Sequence, residues 1–277
     1  MIEKLKDDRV YVEQGPIRMV LDLSIDNKKK PNLALEVAEH VLGQFHKTLN
    51  YIPYVKGQKK LEAPIEEAPI ALQKMLKAVE KCSDSFMTPL SAVAGSFSDI
   101  ALEKALELGC QRIIVNNGGD IALTDVDNPI NVGIPLKGNN EPSYIVTIAP
   151  KANIRGVCTS GLGGRSFSKG IADLAVTLAS DAATADVSAT LVANSTDVNS
   201  PNIVRCYADE IDSETDIAGQ LVTLKANNLQ EDEKLKALMN GCDVAEKLLN
   251  KQVIQGVFIA VGKHMVKIPN EIDIKAI

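Results

Sequence analysis

The residues best suited to chemistry fall in four short segments between positions 87 and 194. In Asn116-Asn117-Gly118-Gly119-Asp120 the adjacent glycines tolerate positive φ and let backbone N–H groups close on a bulky partner. The Asp120 carboxylate can accept from a ribose hydroxyl or an amine, although the same Asn-Gly step also makes an ordinary hairpin turn. In ATADVSATL, Asp186 and Thr190 stand four apart and share a helix face. They are two hard oxygen donors of the kind Mg²⁺ or Ca²⁺ takes, with waters and phosphate oxygens completing the shell. A dipole-complementing Asp and a Thr bonded to its own backbone would give the same pair.

The third segment, GVCTSGLGGRSFSKGIAD at 156–173, sets Thr159, Ser160 and Gly161 after a strand end and Gly163 and Gly164 before Arg165. Ser166 and Ser168 follow beside Lys169. Consecutive small residues can turn several N–H groups toward an anion, and Arg165 can grip a phosphate with two parallel hydrogen bonds. A plain surface loop is the alternative, but it gives no reason for two serines beside two cations. The fourth segment, MTPLSAVAGSFSD at 87–99, runs small residues into a helix start. That suits an anion, and it equally suits close packing of the helix on a neighbour.

Other chemistries find little support. His40 and His46 lie six apart within one helix, off a common face, and His264 stands alone near the C-terminus, so no hydrolase triad is arranged. The cysteines at 82, 110, 158, 206 and 242 have neither CxxC nor metal-knuckle spacing. A net charge of −6 without a basic, aromatic-laced stripe argues against nucleic acid. The absence of a long apolar run argues against a membrane span. With no signal-peptide pattern at the N-terminus, a reduced, cytoplasmic protein is expected.

The elements that must position these residues are readable in outline. The 277 residues are 45% hydrophobic and 24% charged, with 4% aromatic and no Trp, so the core is aliphatic. Residues 9–25 predict two strands around Gly15-Pro16, residues 33–52 a helix, and residues 68–82 a second helix with Pro69 in its first turn. Residues 96–109 predict a helix with Phe97, Ile100, Ala101, Ala105 and Leu108 on one face. Strands are expected at 113–115, 121–123, 143–150 and 173–179, and a helix at 180–194. Residues 208–216 read as a solvated acidic loop, the following helix as broken at Gly241, and 253–268 as a hairpin. Hairpins mixed with helices give an α+β fold with mixed or antiparallel sheets, taken as a single domain over 1–277.

In this order the four segments resemble the ApbE-like superfamily, best known for Mg²⁺-dependent FAD:protein FMN transferases. There a Gly-containing segment opens a helix, a strand ends in Gly-Gly-Asp, Thr-Ser-Gly follows, and an Ala-Asp-x-x-x-Thr helix comes last. Gly95 and Asp99, Gly118-Gly119-Asp120, Thr159-Ser160-Gly161, and Ala185-Asp186 with Thr190 match these in turn. The match is closer to an uncharacterised cytoplasmic branch with the signature T-S-x-x-G-x-S-x-S-x-G-x-A-D, here Thr159 to Asp173. Two departures stand out. The Lys or Glu that precedes the helix glycine in the transferases is Ala94 here, and their His-containing segment after Thr-Ser-Gly is replaced by RSFSKG.

The resemblance implies an ApbE-like fold and a metal held by Asp186 and Thr190, Mg²⁺ or Ca²⁺. It also implies FAD as ligand or substrate, cradled by residues around Ala94, Gly95, Asp99, Gly118, Gly119, Asp120, Thr159, Ser160, Gly161, Ser166 and Ser168. Arg165 and Lys169, with Asp186, would serve catalysis. A small-molecule nucleotide is the expected partner. A protein acceptor fits if FMN is transferred, and the aliphatic helices fit a homo-oligomer as well as a core. The alternatives are a non-catalytic binder of a flavin or other phosphorylated ligand, and an enzyme on a different substrate.

Overall fold

The computed structural model describes residues 1–82, 87–136, 141–164 and 166–277. In chain order the strands and helices begin with β1 (Ile2–Lys4), β2 (Val10–Gln14), β3 (Ile17–Ile25), β4 (Lys28–Lys29), α1 (Pro31–Leu49), α2 (Ile52–Val55), α3 (Ile70–Cys82) and α4 (Val93–Glu107). The middle holds β5 (Arg112–Asn117), β6 (Asp120–Asp125), β7 (Ile130–Ile134), β8 (Tyr144–Ile148), β9 (Gly156–Ser160), β10 (Leu174–Ala179) and α5 (Ala182–Ser195). The chain ends with β11 (Ile203–Tyr207), α6 (Ala208–Ile211), β12 (Leu221–Ala226), α7 (Glu231–Asn250), β13 (Gly256–Val261), β14 (His264–Ile268) and β15 (Ile274–Ala276). The α+β expectation holds, with antiparallel pairing in the sheets. Among the described residues no helix is long and apolar enough to cross a membrane.

The chain forms two compact units. The first comprises Met1–Ile130, Ile148–Cys158 and Ala179–Val187. Its sheet runs β1-β2-β3-β5-β6-β9, with β4 folded back on the end of β3. Strand β3 shows why it pairs as it does: Ile17, Met19, Leu21 and Leu23 are buried at period two, so one face must lie against a core. Helices α1 and α4 supply that cover. Helix α1 buries Ala34, Val37, Ala38 and Val41 at helical spacing. Helix α4 buries Phe97, Ala101 and Ala105, and the Phe97 ring meets Phe45 of α1 edge-on at 6.0 Å. The expected turn at 118–119 joins β5 to β6 in register, with Asn117 opposite Asp120 and both glycines at positive φ, +68° and +108°.

The second unit comprises Asn131–Thr147, Thr159–Leu178 and Ser188–Ile277. Strand β10 pairs antiparallel with β13, and β13 with β14. Strands β10 and β13 are buried at every position, which explains why their sequences are apolar but for Thr177. Strands β11 and β12 form a separate ribbon, and β15, β8 and β7 a three-stranded sheet. One expectation is corrected here: α7 runs unbroken through Gly241. That glycine is buried, and a Cβ on it would stand 2.8 Å from Thr196 Cγ2, so its smallness lets the helix lie close to its neighbour rather than ending it.

Candidate functional site

In the first unit, segments far apart in sequence meet where the N-terminus of α4 crosses the N-terminus of α5. The crossing is close because position 95 is glycine: a Cβ there would lie 2.2 Å from the Ala182 carbonyl oxygen. The Gly95 N–H, near the start of α4, donates to Asp186 Oδ2 at 2.9 Å. In return Asp99, one turn along α4, accepts from the first amides of α5. Ala182 N–H donates to its Oδ1 at 2.8 Å and Ala183 N–H to its Oδ2 at 2.9 Å. Each helix thus lends a carboxylate to the other's unpaired N-terminal donors.

The β5–β6 hairpin is fastened to the same place. Asn117 Nδ2 donates to the Ala94 carbonyl at 3.2 Å, and its Oδ1 accepts from Arg18 N–H at 2.8 Å. Ser98 Oγ donates to the Asp120 carbonyl at 2.9 Å and contacts the Ala94 carbonyl at 3.1 Å. Gly119 N–H is taken by Asn116 Oδ1 at 2.9 Å, which fixes the turn internally. Within this unit Ala94, Gly95, Asp99, Gly118, Gly119, Asp120 and Asp186 are therefore gathered by a few direct bonds.

Three buried carboxylates, Asp99, Asp120 and Asp186, surround Cys158, whose thiol donates to the Ala182 carbonyl at 3.3 Å. Burial and then the charges of Asp120, Asp186 and Asp99 push this thiol far up, so it stays protonated and is no nucleophile. Burial, and next the charge of Asp181, push Asp99 up to about 7, while the Ala183 and Ala182 N–H groups and Lys74 pull it back. Asp181 behaves oppositely. Burial raises it, but Lys81 and Thr184 outweigh burial and hold it below the ordinary carboxylate range. Lys81 Nζ donates to Asp181 Oδ2 at 2.9 Å and to Thr184 Oγ1 at 3.0 Å, and Thr184 N–H donates to Asp181 Oδ1 at 2.7 Å.

In the second unit the loop after β9 is built rather than loose. Leu162 N–H bonds the Ala172 carbonyl at 2.7 Å, closing the loop at its base. Lys169 N–H bonds Asn194 Oδ1 at 2.9 Å, Thr223 Oγ1 donates to the Lys169 carbonyl at 2.9 Å, and Thr223 N–H to the Ser168 carbonyl at 2.8 Å. Thr196 Oγ1 accepts from Ile171 and Ala172 N–H. Ser168 is buried with its hydroxyl 3.5 Å from the Gly170 carbonyl, so it is part of this anchorage. Thr159, Ser160 and Thr190 are half-buried, Gly161 is buried, and Gly163, Gly164 and Ser166 are exposed. Arg165 lies outside the described residues.

The donor set can be tested against the expected metal. Asp186 has one oxygen committed to Gly95, and Thr190 lies one helical turn on. Among the described residues no three His, Cys, Asp or Glu side chains converge as metal ligands. One carboxylate plus one hydroxyl fits an ion such as Mg²⁺, which keeps its waters and takes phosphate oxygens. The partners of Asp99, Asn117 and Asp181 were not evident in sequence. Only Asp181, standing before Ala182 at a helix start, carried a local cue, that of a capping residue.

Comparison with known proteins bears on this arrangement. A family model described as AbpE bacteria matches residues 2–268. The chain belongs to this ApbE-like family. A UPF0280 protein of Methanococcoides burtonii is 31% identical over 205 residues, 73% of this chain and 84% of that protein. A UPF0280 protein of Methanosarcina barkeri is 37% identical over 139 residues, half of this chain, and the match spans 53% of that relative's length. Among solved structures, the apo flavinyl transferase ApbE of Pseudomonas stutzeri aligns over 96% of this chain and 93% of its own, at 14% identity and a TM-score of 0.47. In this ApbE-like chain, then, the motif glycine Gly95 and the motif aspartate Asp186 are directly bonded across 91 residues of sequence.

Proposed function

We propose that the protein binds a flavin nucleotide, FAD, together with Mg²⁺, and that FMN transfer to an acceptor is the activity this binding serves. The observation that carries the reading is the Gly95–Asp186 bond. It joins the first and last motif segments, in a chain whose family membership extends over both. Asp186 and Thr190 would hold the ion, which when bound supplies charge neutralisation at a diphosphate and Lewis acidity. The chain's own residues do the rest. The glycine turn at 118–119 would let backbone approach a phosphate, and Arg165 and Lys169 would offer cations to developing charge. In such a transfer an acceptor hydroxyl oxygen bonds the FMN phosphorus, the bond to AMP breaks, and the hydroxyl proton leaves.

A second reading is favoured by one specific residue. Ala94 is buried, and its side chain has no polar group where the transferases place Lys or Glu. That favours a binder of a flavin or another phosphorylated ligand without transfer. Calorimetric titration of metal-stripped protein with FAD, with and without Mg²⁺, tests the shared part. Binding that requires Mg²⁺ and is lost in Asp186→Ala supports it, and unchanged affinity in that variant overturns the metal assignment. Release of AMP on adding acceptor proteins then separates transferase from binder.

A further inference from the structure

We propose that Asp99 is a positioning residue, a proton-operated clasp that holds the first turn of α5 against α4 and so sets where Asp186 stands. The geometry is the argument. Asp99 is only 5% exposed, and both its oxygens are committed to consecutive amides at the start of α5. A carboxylate can accept both. Protonation turns one oxygen into a donor facing a donor, so one of the two bonds must break. The consequence reaches Asp186 because it stands one turn beyond Ala182 and Ala183 on the same helix and is itself bonded to Gly95 of α4.

The surroundings place the transition in a useful range. The charged groups that act on Asp99 are Asp181 at the start of α5 and Lys74 on α3, and Asp99 in turn acts on the protonated thiol of Cys158 on β9. Lys74 is itself paired with Glu103 of α4 at 2.6 Å, and Asp181 with Lys81, so neither neutralises Asp99 outright. Burial and Asp181 together raise it to about 7, so the clasp opens and closes near neutrality. Only the consequence for ion binding rests on the proposed metal reading. The clasp itself concerns two backbone amides and needs no ligand.

Amide hydrogen exchange on the metal-free protein tests it. Protection of Ala182 and Ala183, corrected for the intrinsic pH dependence of exchange, should rise about tenfold between roughly pH 5.5 and 8.5. In Asp99→Asn it should stay flat and low, because the amide offers one acceptor and sets its NH₂ against the other N–H. Amides of β5 and β6, which report unfolding of the fold as a whole, should show no such rise in either protein. Flat protection in the wild type, or the same rise in Asp99→Asn, overturns the proposal. Should the variant fail to fold, the wild-type Asp99 carboxyl can be followed by ¹³C chemical shift. A transition near 7 that tracks the protection supports the clasp, and completion of titration below about pH 5 overturns it. Mg²⁺ alone is the probe for the site: affinity should follow the same midpoint in wild type and lose it in Asp99→Asn. Mg²⁺ binding that is independent of pH refutes the link from clasp to site. No Mg²⁺ binding at any pH refutes the metal reading of the function, while the exchange data still decide the clasp.

Discussion

Gly95 shows how much one residue's size decides in this molecule. Its missing Cβ lets α4 approach the Ala182 carbonyl, and the obstacle a methyl would meet is backbone, which cannot rotate aside. Gly95→Ala is therefore expected to destabilise the fold by about 2–3 kcal/mol, since overpacking against rigid atoms outweighs the gain in helix propensity. Urea unfolding would measure it, and a variant as stable as the wild type would mean the helices have room to part. At this scale the sequence was half legible. Residue types and spacings pointed to Asp120 and Asp186, the resemblance added Gly95 and Asp99, and the first unit gathers all four. What they bond to was hidden, because periodicity reports faces and not partners. Asp99 was expected at a ligand, and the fold turns both of its oxygens to α5. Asn117 sits inside the Asn-Asn-Gly-Gly-Asp segment, whose sequence does not reveal that it ties β3 and β5 to Ala94.

Elements are held at their ends as much as along their faces. The start of α5 has its first three amides satisfied by side chains, Ala182 and Ala183 by Asp99 and Thr184 by Asp181. Helix α7 starts on a capping box, with Gln230 and Glu233 each bonding the other's backbone. Its Gly241 repeats the lesson of Gly95 with side chains as obstacles: a methyl added there would meet Thr196 Cγ2 at 2.8 Å and Ile259 Cδ1 at 3.2 Å. Thr196 cannot yield freely, because its hydroxyl accepts from Ile171 and Ala172 N–H. Gly241→Ala should therefore lose about 1–2 kcal/mol, where an exposed helical glycine would gain about 1. A rise in thermal midpoint would show that Thr196 moves. Helices were legible from apolar spacing, and buried strands such as β10 and β13 from short, largely apolar runs. The continuity of α7 was not, since a helical glycine kept for close approach looks locally like one that ends a helix.

On the scale of the whole molecule, opposed carboxylates shape stability against pH. Burial works against Asp125, but Asp127 N–H, Arg112 and Asn128 N–H outweigh it and hold its carboxyl below the ordinary range, and Asp181 is lowered in the same sense. Such groups contribute stability that is present above the unfolded value of 3.8 and is lost as pH falls through their folded values. Asp99 has the reverse sign. Its folded value of about 7 lies above 3.8, so its contribution is full below 3.8 and drains away as pH rises to about 7. The carboxylate form thus tightens the local clasp while it weakens the fold as a whole, because burying the charge outweighs two hydrogen bonds. The stability of the ligand-free protein should accordingly decline from about pH 4 to about pH 7, by an amount on the order of 4 kcal/mol if Asp99 acted alone. Asp99→Asn should flatten that limb and leave the acid limb below it unchanged. Urea midpoints across the range decide the matter: a variant curve parallel to the wild type would show that Asp99 enters the fold already charged.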